Sequence, residues 1–192
     1  MTTTLTTKLH AFVQQGISWE KFKAIQHSFE GIPNVRLSYC QGELNILPIS
    51  EEHEEFSAII GLLLGIYFEE FGIEFFPSGS YSQIVAEKVE FQSDLSYCLQ
   101  TKKPIPDLCI EVVFSSGSIN KLKKYEMREV PEVWFWEDGL FSLYRLQSTG
   151  YDRISQSEAL PDLDLDLLTR SVLIHSKVQA MREFRSALRL YQ

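Results

Sequence analysis

The run Leu108-Cys109-Ile110-Glu111-Val112-Val113-Phe114 constrains this chain more than any other stretch. It is almost continuously apolar, of strand length, and bounded by loop signals. Pro104 and Pro106 precede it; Ser115-Ser116-Gly117-Ser118 follows. Such a run reads as a central strand covered on both faces. A strand of that kind needs neighbours on both edges and a layer on each side. The one charge inside it, Glu111, is then a carboxylate in a place where carboxylates are costly.

The rest of the chain supplies the neighbours and the layers. Gly31-Ile32-Pro33-Asn34 reads as a turn. Val35, Leu37 and Tyr39 then alternate with Arg36, Ser38 and Cys40, the period of a half-buried strand. Gln41-Gly42 turns the chain into a second strand, Glu43 to Leu47, ended by Pro48. Ser50 is a helix N-cap with Glu51 and Glu52 in the first turn. His53, Phe56, Ile60, Leu63, Leu64, Tyr67 and Phe71 follow at helical spacing, and the helix stops near Gly72. Strands are expected over Ile73 to Phe76, Tyr81 to Val85 and Val89 to Leu95. After the central run, Ile119 to Val130 reads as a helix. Val133 to Trp136 and Leu140 to Leu146 read as a hairpin turned by Glu137-Asp138-Gly139. Tyr151 to Ile154 adds an edge strand, and Asp162, Asp164 and Asp166 lie near a short helix. Val178, Met181, Phe184, Leu188 and Tyr191 form a terminal helical stripe. The expected fold is mixed α/β (α+β), one central sheet flanked by helices, in a single domain over 1–192. Its core covers about 20–175, and 176–192 forms a C-terminal amphipathic helix.

Several classes of function fall away. The formal net charge of -8 argues against a broad basic face for duplex nucleic acid, though not against a local basic cleft. The densest basic cluster is Lys121, Lys123, Lys124 and Arg128. Cys40, Cys98 and Cys109 are odd in number and far apart, which fits a reducing, cytoplasmic setting rather than a zinc ribbon or a disulfide framework. No apolar segment is long enough for a membrane span, and the polar start over residues 1–7 lacks the blocks of a secretory signal. GxGxxG, GxxxxGK[ST] and GxSxG are absent, and His53-Glu54-Glu55-Phe56-Ser57 lacks the second His of HExxH.

Two acids interrupt apolar strand patterns: Asp94 within Val89 to Leu95, and Glu111. On neighbouring strands they would converge on one point and form a hard, oxygen-rich site suited to Mg²⁺ or Mn²⁺. The plainer alternative is that each is a buried acid satisfied by an Arg or by backbone N–H groups. Lys121 opposes the dipole of the helix it opens, which an anionic partner would offset. Its plainer alternative is a solvated surface lysine.

An ordered set of segments resembles the Uma2 branch of the PD-(D/E)XK nucleases. These are Ser93-Asp94-Leu95, Pro106-Asp107-Leu108-Cys109-Ile110-Glu111-Val112, Ser115-Ser116, Lys121-Leu122-Lys123-Lys124-Tyr125 and Val130-Pro131-Glu132-Val133-Trp134. Gly42-Glu43-Leu44, Pro48 and His53 extend the similarity upstream, so that it covers roughly residues 20–175. The resemblance implies a restriction-endonuclease-like fold and a metal-dependent endonuclease acting on DNA. Asp94 and Glu111 would be the metal-binding acids, Glu43 the upstream acid, and Lys121 the catalytic lysine. The standard motif puts that lysine two residues after the second acid, where this chain has Val113. His53 is a further candidate, near Glu43. The chain departs from the pattern at Ser93 (for proline), at Phe114 (for a smaller residue) and at Glu129 (for glycine), where the helix exit is expected to differ. Dimers are common among such nucleases, and the terminal helix is the expected homodimer surface. Two other functions fit the residues: an inactive nuclease-fold module binding a protein or nucleic acid, and a hydrolase of smaller phosphoesters.

Overall fold

In the computed structural model the described residues are 11–79, 81–114 and 118–190, without the side chains of 118–120. The polar start over 1–7, the loop and cap expected over 115–117, and Tyr191 lie outside them. In chain order the first elements are β1 (Phe12–Gln14), α1 (Trp19–Ser28), β2 (Val35–Cys40), β3 (Glu43–Pro48), α2 (Glu51–Glu70), β4 (Phe75–Pro77), β5 (Gln83–Val85), β6 (Val89–Phe91) and β7 (Leu95–Leu99). Then follow β8 (Leu108–Val113), α3 (Ser118–Met127), β9 (Glu132–Glu137), β10 (Leu140–Gln147), β11 (Gly150–Ile154), α4 (Leu165–Val172) and α5 (Lys177–Leu188).

The fold is mixed α+β. The apolar run forms β8, buried at every position, third in from one edge of the sheet ordered β11-β10-β9-β8-β7-β4. Its pairing with β9 is parallel, and that with β7 is antiparallel. A parallel neighbour requires a crossover, and α3 supplies it. The strands do not form one sheet, as the sequence suggests, but two. The second is antiparallel, ordered β1-β3-β2-β6-β5. The split falls inside the expected strand Val89 to Leu95. β6 pairs with β2 and β5; the chain then bends at Asp94 and enters the larger sheet as β7. Alternation reports which residues face a core, not which strand lies alongside, so this switch left no trace in the pattern.

Each face of β8 has its own core. Leu108, Ile110 and Val112 pack with Trp134 and Trp136 beneath Ile60, Leu63, Leu64 and Tyr67 of α2. Cys109 and Val113 pack on the other side with Leu122 and Tyr125 of α3 and with Val89 and Phe91 of the second sheet. Each such side chain contributes on the order of 2 kcal/mol by leaving water. A third, small core of Phe22, Tyr39 and Leu44 lies under α1. Neither β1 nor α1 was legible in the sequence, because β1 is exposed throughout and Phe22 is the one fully buried residue of α1.

Local signals account for the element ends. The Ser50 hydroxyl accepts from the His53 N–H at 3.2 Å and caps α2, and Asp164 caps α4 through the Leu167 N–H at 2.9 Å. Asp138-Gly139 turns β9 into β10 with φ of 51° and 78°, positive at both positions as a type I′ turn requires. Helix α3 ends in a Schellman arrangement: the Val130 N–H reaches the Tyr125 carbonyl and the Glu129 N–H reaches that of Glu126. Glu129 therefore takes φ 59°, a left-handed conformation that glycine adopts freely. The exit is the glycine-type exit, held by a glutamate, and it does not differ as the sequence suggests. Glu129→Gly is expected to stabilise the protein by about 1 kcal/mol, read as a higher urea midpoint at unchanged slope.

The C-terminal stripe finds its partner within the chain. Ala180, Phe184 and Leu188 are buried in the core shared with α2. Arg185 and Arg189 of the C-terminal segment bond Glu69 and Glu70 at the end of α2. The homodimer expectation rests on a stripe in need of cover, and its described part is largely covered; Val178 stays exposed. Among the described residues no helix is long and apolar enough to cross a membrane.

Candidate functional site

The second sheet and α3 close over the open end of β8 and leave a cleft of about 550 Å³. Arg36 on β2, Glu43 and Asn45 on β3, Glu111 on β8 and Lys121, Lys123 and Lys124 on α3 all line it. Four cations against two carboxylates make this wall basic, although the chain as a whole is acidic.

Glu111 points to the same side of β8 as Cys109 and Val113, away from α2. The β7–β8 register starts with Leu95 opposite Ile110; just before it the chain bends at Asp94, whose carboxylate reaches β8 through the Val112 N–H. The bend at Asp94 sets its carboxylate against the β8 backbone at Val112, the residue after Glu111. Asp94 sits behind the cleft wall, its side chain 1% exposed. Oδ2 accepts from the Val112 N–H at 2.7 Å and lies 3.1 Å from His53 Nε2, while Oδ1 accepts from Arg36. Burial alone would raise the Asp94 pKa, but His53, the Arg36 charge and the Val112 N–H outweigh it and hold the carboxyl below its ordinary value. Glu111 Oε1 accepts from Lys124 and from the Tyr125 hydroxyl. The Lys124 ammonium also lies 5.0 Å over the rings of both Phe91 and Tyr125. Burial, and then the Glu111 charge, push the Tyr125 pKa well up, which keeps its hydroxyl a donor.

Lys121 stands in the first turn of α3, as the sequence suggests, and is half-buried rather than solvated. Among the described residues it makes no ion pair. Burial pulls its pKa down; Glu111 pulls it up, Lys124 down again, and Asp94 up, and the net displacement is downward. Glu43 is in the cleft, held by the amides of Gln15 and Asn45, the latter at 2.8 Å. His53 is buried and contacts Asp94 and Glu54, so its position is behind Asp94 rather than beside Glu43. Its pKa is drawn down by burial and raised more strongly by Asp94. Of the basic cluster, Arg128 leaves the site and bonds Gln83 and the Pro104 carbonyl.

Arg36 is the member of this site that sequence reasoning missed. It stood on the polar side of an alternating strand, which usually means solvent. The signal was elsewhere: a buried Asp94 required a cationic or N–H partner, and Arg36 and Val112 are both.

Whether a divalent ion suits this donor set follows from the lone pairs. Both acids offer hard oxygen, right for Mg²⁺ or Mn²⁺. A carboxylate has about four acceptor sites, and neither acid fills them. Glu111 Oε2 takes no hydrogen bond among the described residues. Those residues hold no cluster of three or more His, Cys, Asp or Glu side chains placed to cage a metal. The fit is therefore to an open site completed by water and by phosphate oxygens, the usual manner of Mg²⁺.

A family model described as "Uma2: Putative restriction endonuclease" matches residues 19–173. The chain is also similar to a solved structure described as a "putative nuclease belonging to DUF820" from Anabaena variabilis. That likeness has 14% identity and a TM-score of 0.45, covering 77% of this chain and 90% of that one. No curated protein matches the chain.

Proposed function

Since the chain belongs to the Uma2 family, whose model spans residues 19–173, we propose that it is a metal-dependent endonuclease hydrolysing DNA phosphodiester bonds in the cleft beside Glu111. One observation carries the reading. Two buried carboxylates, Glu111 on β8 and Asp94 bonded to the neighbouring Val112 N–H, lie under a wall whose cations are Arg36, Lys121, Lys123 and Lys124. Asp94 and Glu111 would hold Mg²⁺ or Mn²⁺. Bound there, the ion would lower the pKa of a ligated water and withdraw charge from a phosphoryl oxygen. The residues do the rest. Lys121, without an ion pair among the described residues and with a lowered pKa, takes a proton from the attacking water. Lys123 and Lys124 hold the phosphate backbone against the wall. Glu43, fixed by Gln15 and Asn45, orients water on the far side of the cleft. Tyr125 and Lys124 fix the Glu111 carboxylate, and the Val112 N–H fixes that of Asp94.

A second reading has an observation of its own. Arg36 and Lys124 already neutralise both carboxylates, as in a module that binds phosphate backbone without cutting it. Calorimetry with Mg²⁺ and Mn²⁺ on the wild type and on Glu111→Ala, followed by plasmid nicking, separates the two. The nuclease reading expects metal binding and nicking in the wild type and the loss of both in the variant. DNA binding with neither metal uptake nor nicking would establish the module instead. Hydrolysis of a small phosphoester alone would redirect the substrate.

A further inference from the structure

Apart from Lys123 on the rim and His53 behind Asp94, the formal charges of the inner site balance. Asp94, Glu111 and Glu43 face Arg36, Lys121 and Lys124, with Lys123 exposed on the rim. A divalent cation entering this site alone would leave an excess of positive charge in a half-buried space, where charge is poorly screened. A phosphate entering alone would leave an excess of negative charge. When the two enter together, the phosphodiester offsets half of the charge that the ion brings. Arg36 stands where this balance is decided. Its side chain is 13% exposed and pairs with an Asp94 side chain that is 1% exposed, yet it also lines the cleft. Among the described residues its hydrogen bond is from Nη1 to Asp94, so the other nitrogens of the fork have donors to spare. Its guanidinium suits a phosphate as well as a carboxylate.

We propose that Arg36 is a positioning residue that makes Asp94 available as a metal ligand only when phosphate is present, an inference that rests on the nuclease reading. In the free protein Arg36 occupies Asp94 Oδ1. When the backbone of a nucleic acid enters the cleft, Arg36 passes to a phosphate oxygen and the Asp94 oxygen is released to the cation. Metal and nucleic acid then bind with positive coupling, each strengthening the other by the same factor. A site of this kind holds metal weakly until substrate arrives, so it activates less water when there is no phosphodiester to receive it.

The experiment is a Mn²⁺ titration of the full chain, read by the paramagnetic resonance of the free ion, with and without a phosphorothioate DNA duplex. In the wild type the duplex should tighten Mn²⁺ binding by at least about tenfold, an ordinary magnitude for coupled sites. Arg36→Gln should bind Mn²⁺ more tightly than the wild type when DNA is absent, with little further gain from the duplex. Arg36→Lys, which keeps the charge, should restore the wild-type pattern; a merely structural arginine would not give this pair of results. Circular dichroism checks that Arg36→Gln is folded, and if it is not, the wild-type titrations with and without duplex still decide the coupling, while Arg36→Met takes its place in testing the arginine. Equal Mn²⁺ affinity with and without duplex, in a wild type that nicks plasmid, would overturn the coupling and leave the nuclease reading intact. Coupling unchanged in a folded Arg36→Gln would overturn the role of Arg36. No Mn²⁺ binding under either condition, and no nicking, would remove the nuclease reading and this inference with it.

Discussion

Glu132→Ala is expected to lower the melting temperature by roughly 10 °C, read by circular dichroism, with a variant that still folds at room temperature. Glu132 opens β9 beside β8 and is completely buried. Its carboxylate accepts from the Trp134 indole at 2.7 Å, the Ser157 hydroxyl at 2.6 Å, and the N–H groups of Glu158 and Ala159 at 3.0 and 2.9 Å. Removing it strands these donors where water reaches them poorly. An unsatisfied buried donor costs about 1–3 kcal/mol, so partial relaxation still leaves a loss of about 4 kcal/mol. The damage would extend beyond the pocket. Glu132 ties the 157–159 segment to the strand that runs parallel to β8, and Ser157 in turn holds the Leu160 N–H at 2.8 Å, setting Leu160 into the core. Glu132→Gln should fall between, because its amide keeps one acceptor and turns an NH₂ toward groups that are themselves donors. A drop of less than about 2 °C in the alanine variant would mean that the donors find other partners.

What could be read from the chain and what could not divide along one physical line. Burial against a single layer leaves a period, and burial on both faces leaves an unbroken apolar run, so α2, α5, the hairpin of β9 and β10, and β8 were legible, as was the oddity of Glu111. Asp94 and Lys121 were legible for a related reason: each breaks a local rule, one as an acid in an apolar strand and the other as a lysine at a positive helix end. Pairing between distant segments leaves no such mark. Arg36 and Asp94 are brought together only by the packing of the second sheet against the first, and the bend at Asp94 separates strands that read as one. The pairing of α5 with α2 is of the same kind. Its stripe predicted that cover was needed, and left open whether cover came from the same chain. Glu132 was visible only as part of a motif, because a buried acid at the start of a strand looks like any loop-side glutamate. The basic cleft inside an acidic protein follows the same logic. Net charge is a sum over the chain, while the potential at the site depends on which cations the fold gathers.

Lys121→Ala is expected to reduce nicking by about 10²–10⁴-fold while leaving Mn²⁺ binding in the presence of duplex close to wild type, since the loss is one of proton transfer or charge at the reacting phosphate. The pH profile then assigns the role. A lysine that takes a proton must first be neutral, so activity rises as pH rises through its pKa. A lysine that only balances phosphate charge must be protonated, and activity falls over the same range. Burial draws the Lys121 pKa below the ordinary lysine value against the opposing pull of Glu111, which enlarges the neutral fraction at moderate pH. The base role is therefore expected, with activity climbing into the alkaline range and levelling off below the pH at which an ordinary lysine titrates. Lys121→Arg completes the test, because an arginine keeps the charge and does not deprotonate in a protein. If Lys121 is the base, the arginine variant is as inactive as the alanine one, and the rising limb of the profile is gone. If the arginine variant retains most of the activity, and the wild-type rate falls toward alkaline pH, Lys121 acts on the phosphate and the water gives its proton to another group in the cleft.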